Sequence, residues 1–446
     1  MLEERFLNYV EKYKSKILEI EQYIWNHPET GFKEWNTTEY LATIFKNAGY
    51  DLTYAKNIPG FYTDIDTGRP GPKILIFGEM DALLCPTHPS QVNGCAHACG
   101  HNTHCAALAG IALALKEPDA LDGLSGSIRL CAVPAEELIE IDFRKSLMEQ
   151  GIIKYMSGKT EYLYRGYFDG CTIAFMNHAA GGNIKGSCIQ DCNGFITKTI
   201  TYEGRSSHAA ATPHNGINAL YAAVQGINAL NALRETFDDN DHIRVHPIVT
   251  DGGSSVSSIP ARATISTYVR GADIESIKKT NEKVSRALAS GALALGAKVL
   301  CEDCFGYAPL DNDPGLTSVM AEATDIVFGN GHCTYERRGA SSTDMGSLSG
   351  VMHTVHNCIT GCADGYGHGD NFVISDPYTA TVMSAKLYMA TLRLLMENDA
   401  YRAVQITSAH NLAYSSKEDF FKYIDSLTKN YSMLEYTKDG AIINFK

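Results

Sequence analysis

No stretch of this 446-residue chain approaches the roughly 18 uninterrupted apolar residues needed to span a bilayer, because Gly, Lys or Asp interrupts every candidate run. A transmembrane role is therefore not expected. Also missing are long Gln/Asn, Pro or Ser tracts and any internal repeat, which leaves no ground for a disordered region or a solenoid. Clustered cations are lacking too. With 51 Asp and Glu against 38 Lys and Arg, the formal net charge is -13, and phosphate backbones or anionic membranes are poor partners for such a surface. A small-molecule substrate is the better expectation. The opening residues Met1-Leu2-Glu3-Glu4-Arg5-Phe6 have acids where an export signal carries a basic region and an apolar run, so a cytosolic location is expected. The cysteine pattern agrees: 13 is an odd number, in a long chain, which favours reduced thiols over a disulfide framework.

What is present is ample apolar material. At 44% hydrophobic composition the chain exceeds what one core supports, since single cores stop growing at roughly 250 to 300 residues, and two domains follow. Residues 3–26 repeat Phe6, Tyr9, Val10, Tyr13, Ile17, Ile20 and Ile24 at helical spacing, and a second helix is expected at 37–48. Lys73-Ile74-Leu75-Ile76-Phe77-Gly78 reads as a buried strand, 103–116 as an Ala-rich helix and 127–133 as another buried strand. This alternation predicts an α/β domain with a mostly parallel sheet, whose ligands gather beyond the carboxyl ends of its strands. From 191 to 305 the order becomes strand, helix, two strands, helix, strand, the pattern of a ferredoxin-like α+β unit. It is expected as an insertion into a discontinuous first domain of residues 1–190 and 306–446.

Chemistry concentrates in His97-Ala98-Cys99-Gly100-His101-Asn102-Thr103-His104, with four potential metal donors in one short segment. A divalent ion needs several such donors converging, with Cys ionised and His neutral, and the paired Cys-x-x-Cys of a zinc finger is absent. Glu136 and Glu137 follow at the end of the second strand. Adjacent carboxylates there allow one to hold metal while the other accepts a proton.

At this point a family resemblance emerges. His27-Pro28-Glu29-Thr30-Gly31-Phe32, Met80-Asp81-Ala82-Leu83, His97-Ala98-Cys99-Gly100-His101, Pro134-Ala135-Glu136-Glu137, Gly204-Arg205-Ser206-Ser207-His208-Ala209-Ala210 and Ser342-Thr343-Asp344-Met345 occur in the order seen in the amidohydrolase branch of the dinuclear metallopeptidases. That group includes the aminoacylase, hippurate, auxin-conjugate and aminobenzoyl-glutamate hydrolases. The resemblance implies a zinc-peptidase-like catalytic domain with an inserted lid and dimerisation domain, and a homodimer. It implies two divalent ions, Zn or alternatively Mn, held by Cys99, His101, Glu137, His178 and His368, with Cys99 as a possible bridge. His353 and His356 compete with His368 for the last position. It further implies Glu136 as general base for a metal-activated water, His208 as the imidazole facing the oxyanion, Asp81 as the group that orients a ligand, and Arg270 as a partner for a substrate carboxylate. His97 and His104 are left in supporting positions. Two departures stand out: Asn102 and Glu79 occupy places where relatives usually carry Asp.

The activity implied is hydrolysis of N-acyl amino acids or related aminoacyl conjugates. Aminobenzoyl-glutamate or dipeptide cleavage is the alternative within the same chemistry. A catalytically silent binding or regulatory protein that retained the fold is the alternative of another class.

Overall fold

The computed structural model describes residues 4–181, 187–189, 191–335, 339, 341–362, 367–409 and 412–444. They fall into two compact units: Met1–Asp191 with Leu310–Arg337 and Thr343–Lys417, and Cys192–Pro309 with Arg338–Ser342 and Glu418–Lys446.

The first unit is built on a mixed eight-stranded sheet. Its order is Thr53–Tyr54, Phe61–Asp66, Ser127–Val133, Lys73–Glu79, Cys171–Ala180, His353–Thr360, Ser187–Ile189 and Thr334–Tyr335. The four central strands run parallel to one another, and antiparallel pairs lie to either side. Central parallel strands are covered on both faces, which is why Lys73–Glu79 and Ser127–Val133 carry nearly continuous apolar runs rather than alternating ones. Lys73–Glu79 and Ser127–Val133 are buried at every position after the first, and His353–Thr360 is buried throughout. Because the four strands are parallel, their carboxyl ends share one edge. Polar residues gather there: Asp81 just after Lys73–Glu79, Glu136 and Glu137 just after Ser127–Val133, and His178 near the end of Cys171–Ala180.

The helix His101–Ala114 packs on the Lys73–Glu79 strand and against the helices Lys14–Trp25 and Ser384–Ala409. It starts two residues earlier than the sequence pattern predicts, which places His101 in its first turn. The single amphipathic helix expected over 3–26 is two, Glu4–Lys12 and Lys14–Trp25. The break falls at Tyr13 (φ -97°, ψ 8°), whose hydroxyl donates to Glu117 at 2.6 Å. Ser384–Ala409 is likewise interrupted by left-handed backbone at Asn398, Asp399 and Ala400.

The second unit carries an antiparallel sheet ordered Arg244–Val245, Arg262–Gly271, Gly194–Glu203, Lys298–Tyr307, Lys429–Ser432, with Ile248–Asp251 also paired to Arg262–Gly271. Helices Ala219–Ala232 and Ile274–Leu295 pack together and on this sheet, as a ferredoxin-like unit requires. The expected division differs chiefly in the tail, with residues 306–309 also falling in the second unit. The sequence pattern assigns residues 418–446 to the first domain, yet they group with the second unit, because Lys429–Ser432 extends the sheet beside Lys298–Tyr307 and Met433 and Leu434 enter its core.

Candidate metal centre

Gly100 opens the helix that begins with His101, at φ 82°, a left-handed conformation that glycine adopts without cost. The turn is enclosed as well: a Cβ at Gly100 would lie 2.9 Å from the Cβ of Ala179. This tight reversal puts Cys99 and His101 on either side of one corner. Two further left-handed residues, Ala135 (φ 56°) and His368 (φ 67°), stand just before Glu136 and at the distant histidine. Non-glycine residues hold this conformation only when their surroundings impose it, and such positions concentrate at functional sites.

Side-chain partners then distinguish the imidazoles. His101 is fully buried, and its Nδ1–H donates to Asp81 Oδ1 at 3.1 Å, while Nε2 makes no hydrogen bond. An imidazole anchored through one nitrogen with the other presented to a polar cluster is oriented as a metal ligand. The second oxygen of Asp81 accepts the Glu137 amide at 2.7 Å, so one carboxylate aligns two segments. His178 donates through Nδ1 to the Ala179 carbonyl at 2.7 Å, and its Nε2 lies 3.5 Å from Cys99 Sγ. His368 has Nε2 3.1 Å from Glu137 Oε1. His104 differs from these, since both its nitrogens are engaged: Nδ1–H donates to Glu79 Oε2 at 2.9 Å and Nε2 accepts the Ala179 amide at 3.1 Å. His353 is bonded to Asp313 at 2.8 Å. His356 is buried on the same strand, with its ring 5.5 Å from that of His178, and belongs to none of the donor groups. His97 is buried, and neither ring nitrogen makes a hydrogen bond.

Donor atoms converge in two triads that share one residue. Cys99, His101 and His178 offer atoms within 4.8 Å of one another, and so do Cys99, Glu137 and His368. A third group joins His101, Glu136 and Glu137. The soft thiol, the imidazoles and the carboxylate suit a borderline-soft divalent ion, and the bare His101 Nε2 is the buried polar atom that such an ion would satisfy. Electrostatics point the same way. Burial and the neighbouring Glu137 push the Cys99 thiol well up, so a thiolate there needs cationic company. Burial works against the Glu137 carboxylate as well, but the His368 hydrogen bond and charge outweigh it and bring the group to about 2. Burial, together with the carboxylates of Glu79, Glu137 and Asp344, raises Glu136 well above the ordinary range. Burial keeps His104 neutral, at about 3.

Residues 193–294 match the family model described as the peptidase dimerisation domain. Over the chain, one of the subunits of the p-aminobenzoyl-glutamate hydrolase of Escherichia coli is 29% identical across 67% of this sequence and 60% of its own, so the chain spans less than two thirds of that relative. N-acetyl-L-cysteine deacetylase of Bacillus subtilis is 28% identical across 70% of this chain and 72% of its own length. Among solved structures, a dinuclear metal binding peptidase of the M20 family from Bacillus subtilis superposes with a TM-score of 0.64 at 19% identity, covering 86% of this chain and 98% of that one. The chain is similar in sequence to these hydrolases and shares its fold with the M20 peptidase. The fold shared with that structure is the parallel-rich α/β unit with a separate second unit described above.

The two remaining expected site residues lie in the second unit. His208 is exposed, and its Nδ1 accepts the amides of Ala210 and Ala211 at 3.2 and 3.1 Å, which leaves the proton on Nε2. Arg270 is half-buried, with its guanidinium 5.0 Å from the centre of the Phe195 ring, 5.2 Å from that of Tyr268, and bonded to Ser342 Oγ at 3.2 Å. Other expected motifs serve as scaffold. Glu29 of the His27–Phe32 motif caps the Trp35–Asn47 helix through the amides of Asn36 and Thr37, and its carbonyl receives the Ala82 amide. Lys159 and Arg144 escape a reading of the sequence. Arg144 is fully buried and donates to the carbonyls of Glu137 and Met156, pinning the loop after the carboxylate pair. A solitary basic residue carries no local signal of such a position.

Proposed function

We propose that this chain hydrolyses the amide bond of N-acyl amino acids or related aminoacyl conjugates, using two divalent ions held by Cys99, His101, Glu137, His178 and His368. The observation that carries the reading is the pair of donor triads sharing Cys99, with Glu136 grouped beside His101 and Glu137. Cys99 is the one donor common to both triads. Zn suits this donor set best and Mn is the alternative. Bound ions supply Lewis acidity and lower the pKa of a water towards neutrality.

The chain's own groups divide the remaining work. Glu136 takes the proton of the attacking water and returns it to the departing nitrogen, a part that its grouping beside His101 and Glu137 supports. Asp81 is a positioning residue, holding the His101 ring and the Glu137 backbone. His208 has its outward Nε2–H available to donate to the developing oxyanion. In the reading supported by the dimerisation-domain match, the second unit forms a homodimer and His208 serves the site of the partner. Arg270 pairs with the substrate carboxylate. The location is cytosolic, and the substrate is a small molecule rather than a nucleic acid or a membrane. No helix of the described residues is long and apolar enough to cross a membrane.

The test is a panel of N-acyl amino acids and dipeptides, given to purified protein with two equivalents of Zn or Mn. Release of a free amino acid is expected, and a fully loaded protein that cleaves no member overturns the reading. The similarity to the Escherichia coli aminobenzoyl-glutamate hydrolase favours that conjugate as a second reading, and including it in the panel separates the two.

A further inference from the structure

Behind the donor cluster, three charged side chains are sealed from solvent: Glu79, Asp344 and Lys159. The Lys159 ammonium donates to both carboxylates, and its backbone amide donates to the second oxygen of Asp344 at 2.9 Å. Glu79, Asp344 and Glu136 offer oxygen atoms within 4.8 Å of one another, a carboxylate set with the spacing of a cation site. The cation bonded to it is the lysine. Its location is built in by the preceding residue. Gly158 donates to the Ala135 carbonyl at 3.0 Å, and a Cβ at Gly158 would lie 1.6 Å from the Pro134 carbonyl oxygen, so this backbone lies directly against the segment that delivers Glu136.

We propose that Lys159 is an internal counter-cation that holds Glu79 and Asp344 out of metal coordination and keeps a third divalent ion from forming around Glu136. Burial opposes the charge on Lys159, but Asp344 and Glu79 hold the amine protonated. A buried charge persists when it is paired and hydrogen-bonded, and removing one partner leaves the others exposed to each other's repulsion. Without the ammonium, three carboxylates face one space, and a divalent ion is the group that best relieves them. Lys159 is thus a positioning residue: it acts by deciding which carboxylates are ligands and which one stays a base. The inference rests on the dinuclear reading of the neighbouring donors.

The experiment counts metal per chain by elemental analysis after dialysis against Zn or Mn, for the wild type, K159A and K159A/D344N. A wild-type count of two tests the dinuclear reading; the difference between variant and wild type tests the role of Lys159. K159A should bind one more ion than wild type, K159A/D344N should return to the wild-type count, and added ethylammonium should displace the extra ion from K159A. A folded K159A with the wild-type count overturns the proposal. Should K159A fold only in divalent salt, the refolded protein is counted in the same way, and failure of divalent salt to restore its circular dichroism overturns the proposal as well.

Discussion

The Asp81 carboxylate accepts the Nδ1–H of His101 at 3.1 Å and, through its other oxygen, the amide of Glu137 at 2.7 Å. Both partners are donors, so the residue must be able to accept twice. Asn at this position can accept only once, and its amide would meet a donor at one end. D81N should therefore weaken divalent binding by about 10- to 100-fold, the usual cost of losing a group that orients a metal-bound histidine. Competition with a chromogenic chelator measures it; unchanged affinity would mean that Asp81 does not orient a ligand.

Glu136 is assigned to proton transfer and not to metal. E136Q preserves shape and removes the base, so kcat should fall by roughly 10²- to 10⁴-fold while metal content stays near that of wild type. Parallel kinetics and elemental analysis decide between base and ligand.

His104 and His178 lie with ring centres 4.7 Å apart, yet only His178 has a nitrogen directed at Cys99. Both nitrogens of His104 are committed to Glu79 and Ala179. H178A should lose bound metal. H104A should keep it and lose stability instead, by about 1–3 kcal/mol for the buried partners left unmatched. Metal counts and thermal melts on the two variants give opposite patterns if the roles are as assigned.

Glu21, 5% exposed, accepts the Asn102 side-chain amide at 2.7 Å, and burial raises its carboxyl from 4.5 to about 7. In the folded chain it retains its proton to higher pH than in the unfolded chain. Between about 4.5 and 7 the folded state thus binds more protons, and stability declines as pH rises through this window. E21Q removes the titration, so its melting temperature should drop less than that of wild type between pH 5 and pH 8. The relief is on the order of 3 kcal/mol at the upper end. Equal pH dependence in the two proteins would exclude the effect.

The strand Lys429–Ser432 covers the outer edge of Lys298–Tyr307, and Met433 and Leu434 lie in the core of the second unit. Deleting 418–446 should open that edge and expose apolar surface, giving a less stable chain prone to self-association. Light scattering and thermal unfolding of the truncated protein test this.

Much of the site is legible in the sequence because its chemistry is local. Cys99, His101, Glu136 and Glu137 sit in compact motifs, each next to a strand or helix whose apolar run announces it. Two of the four central strands, Lys73–Glu79 and Ser127–Val133, are equally legible, since burial on both faces leaves a nearly continuous hydrophobic signature, whereas His353–Thr360 is buried yet rich in polar residues and is not. The break at Tyr13 is not, because helical periodicity carries through it. The tail that crosses to the second unit is also hidden: Lys429-Asn430-Tyr431-Ser432 is polar and short, and its strand identity comes from the neighbour it pairs with.

By itself the sequence determined the donor inventory, the two-domain plan and the alternation that yields a parallel sheet, since these depend on residue type and short-range spacing. Only the tertiary structure decided how the histidines divide. Whether an imidazole has a nitrogen to spare depends on what lies across the fold: Asp81 for His101, Glu79 and the Ala179 amide for His104, Asp313 for His353. The same holds for Lys159. Nothing near it in the chain marks it, and its position follows from long-range packing that brings Glu79 and Asp344, far apart in sequence, onto one ammonium.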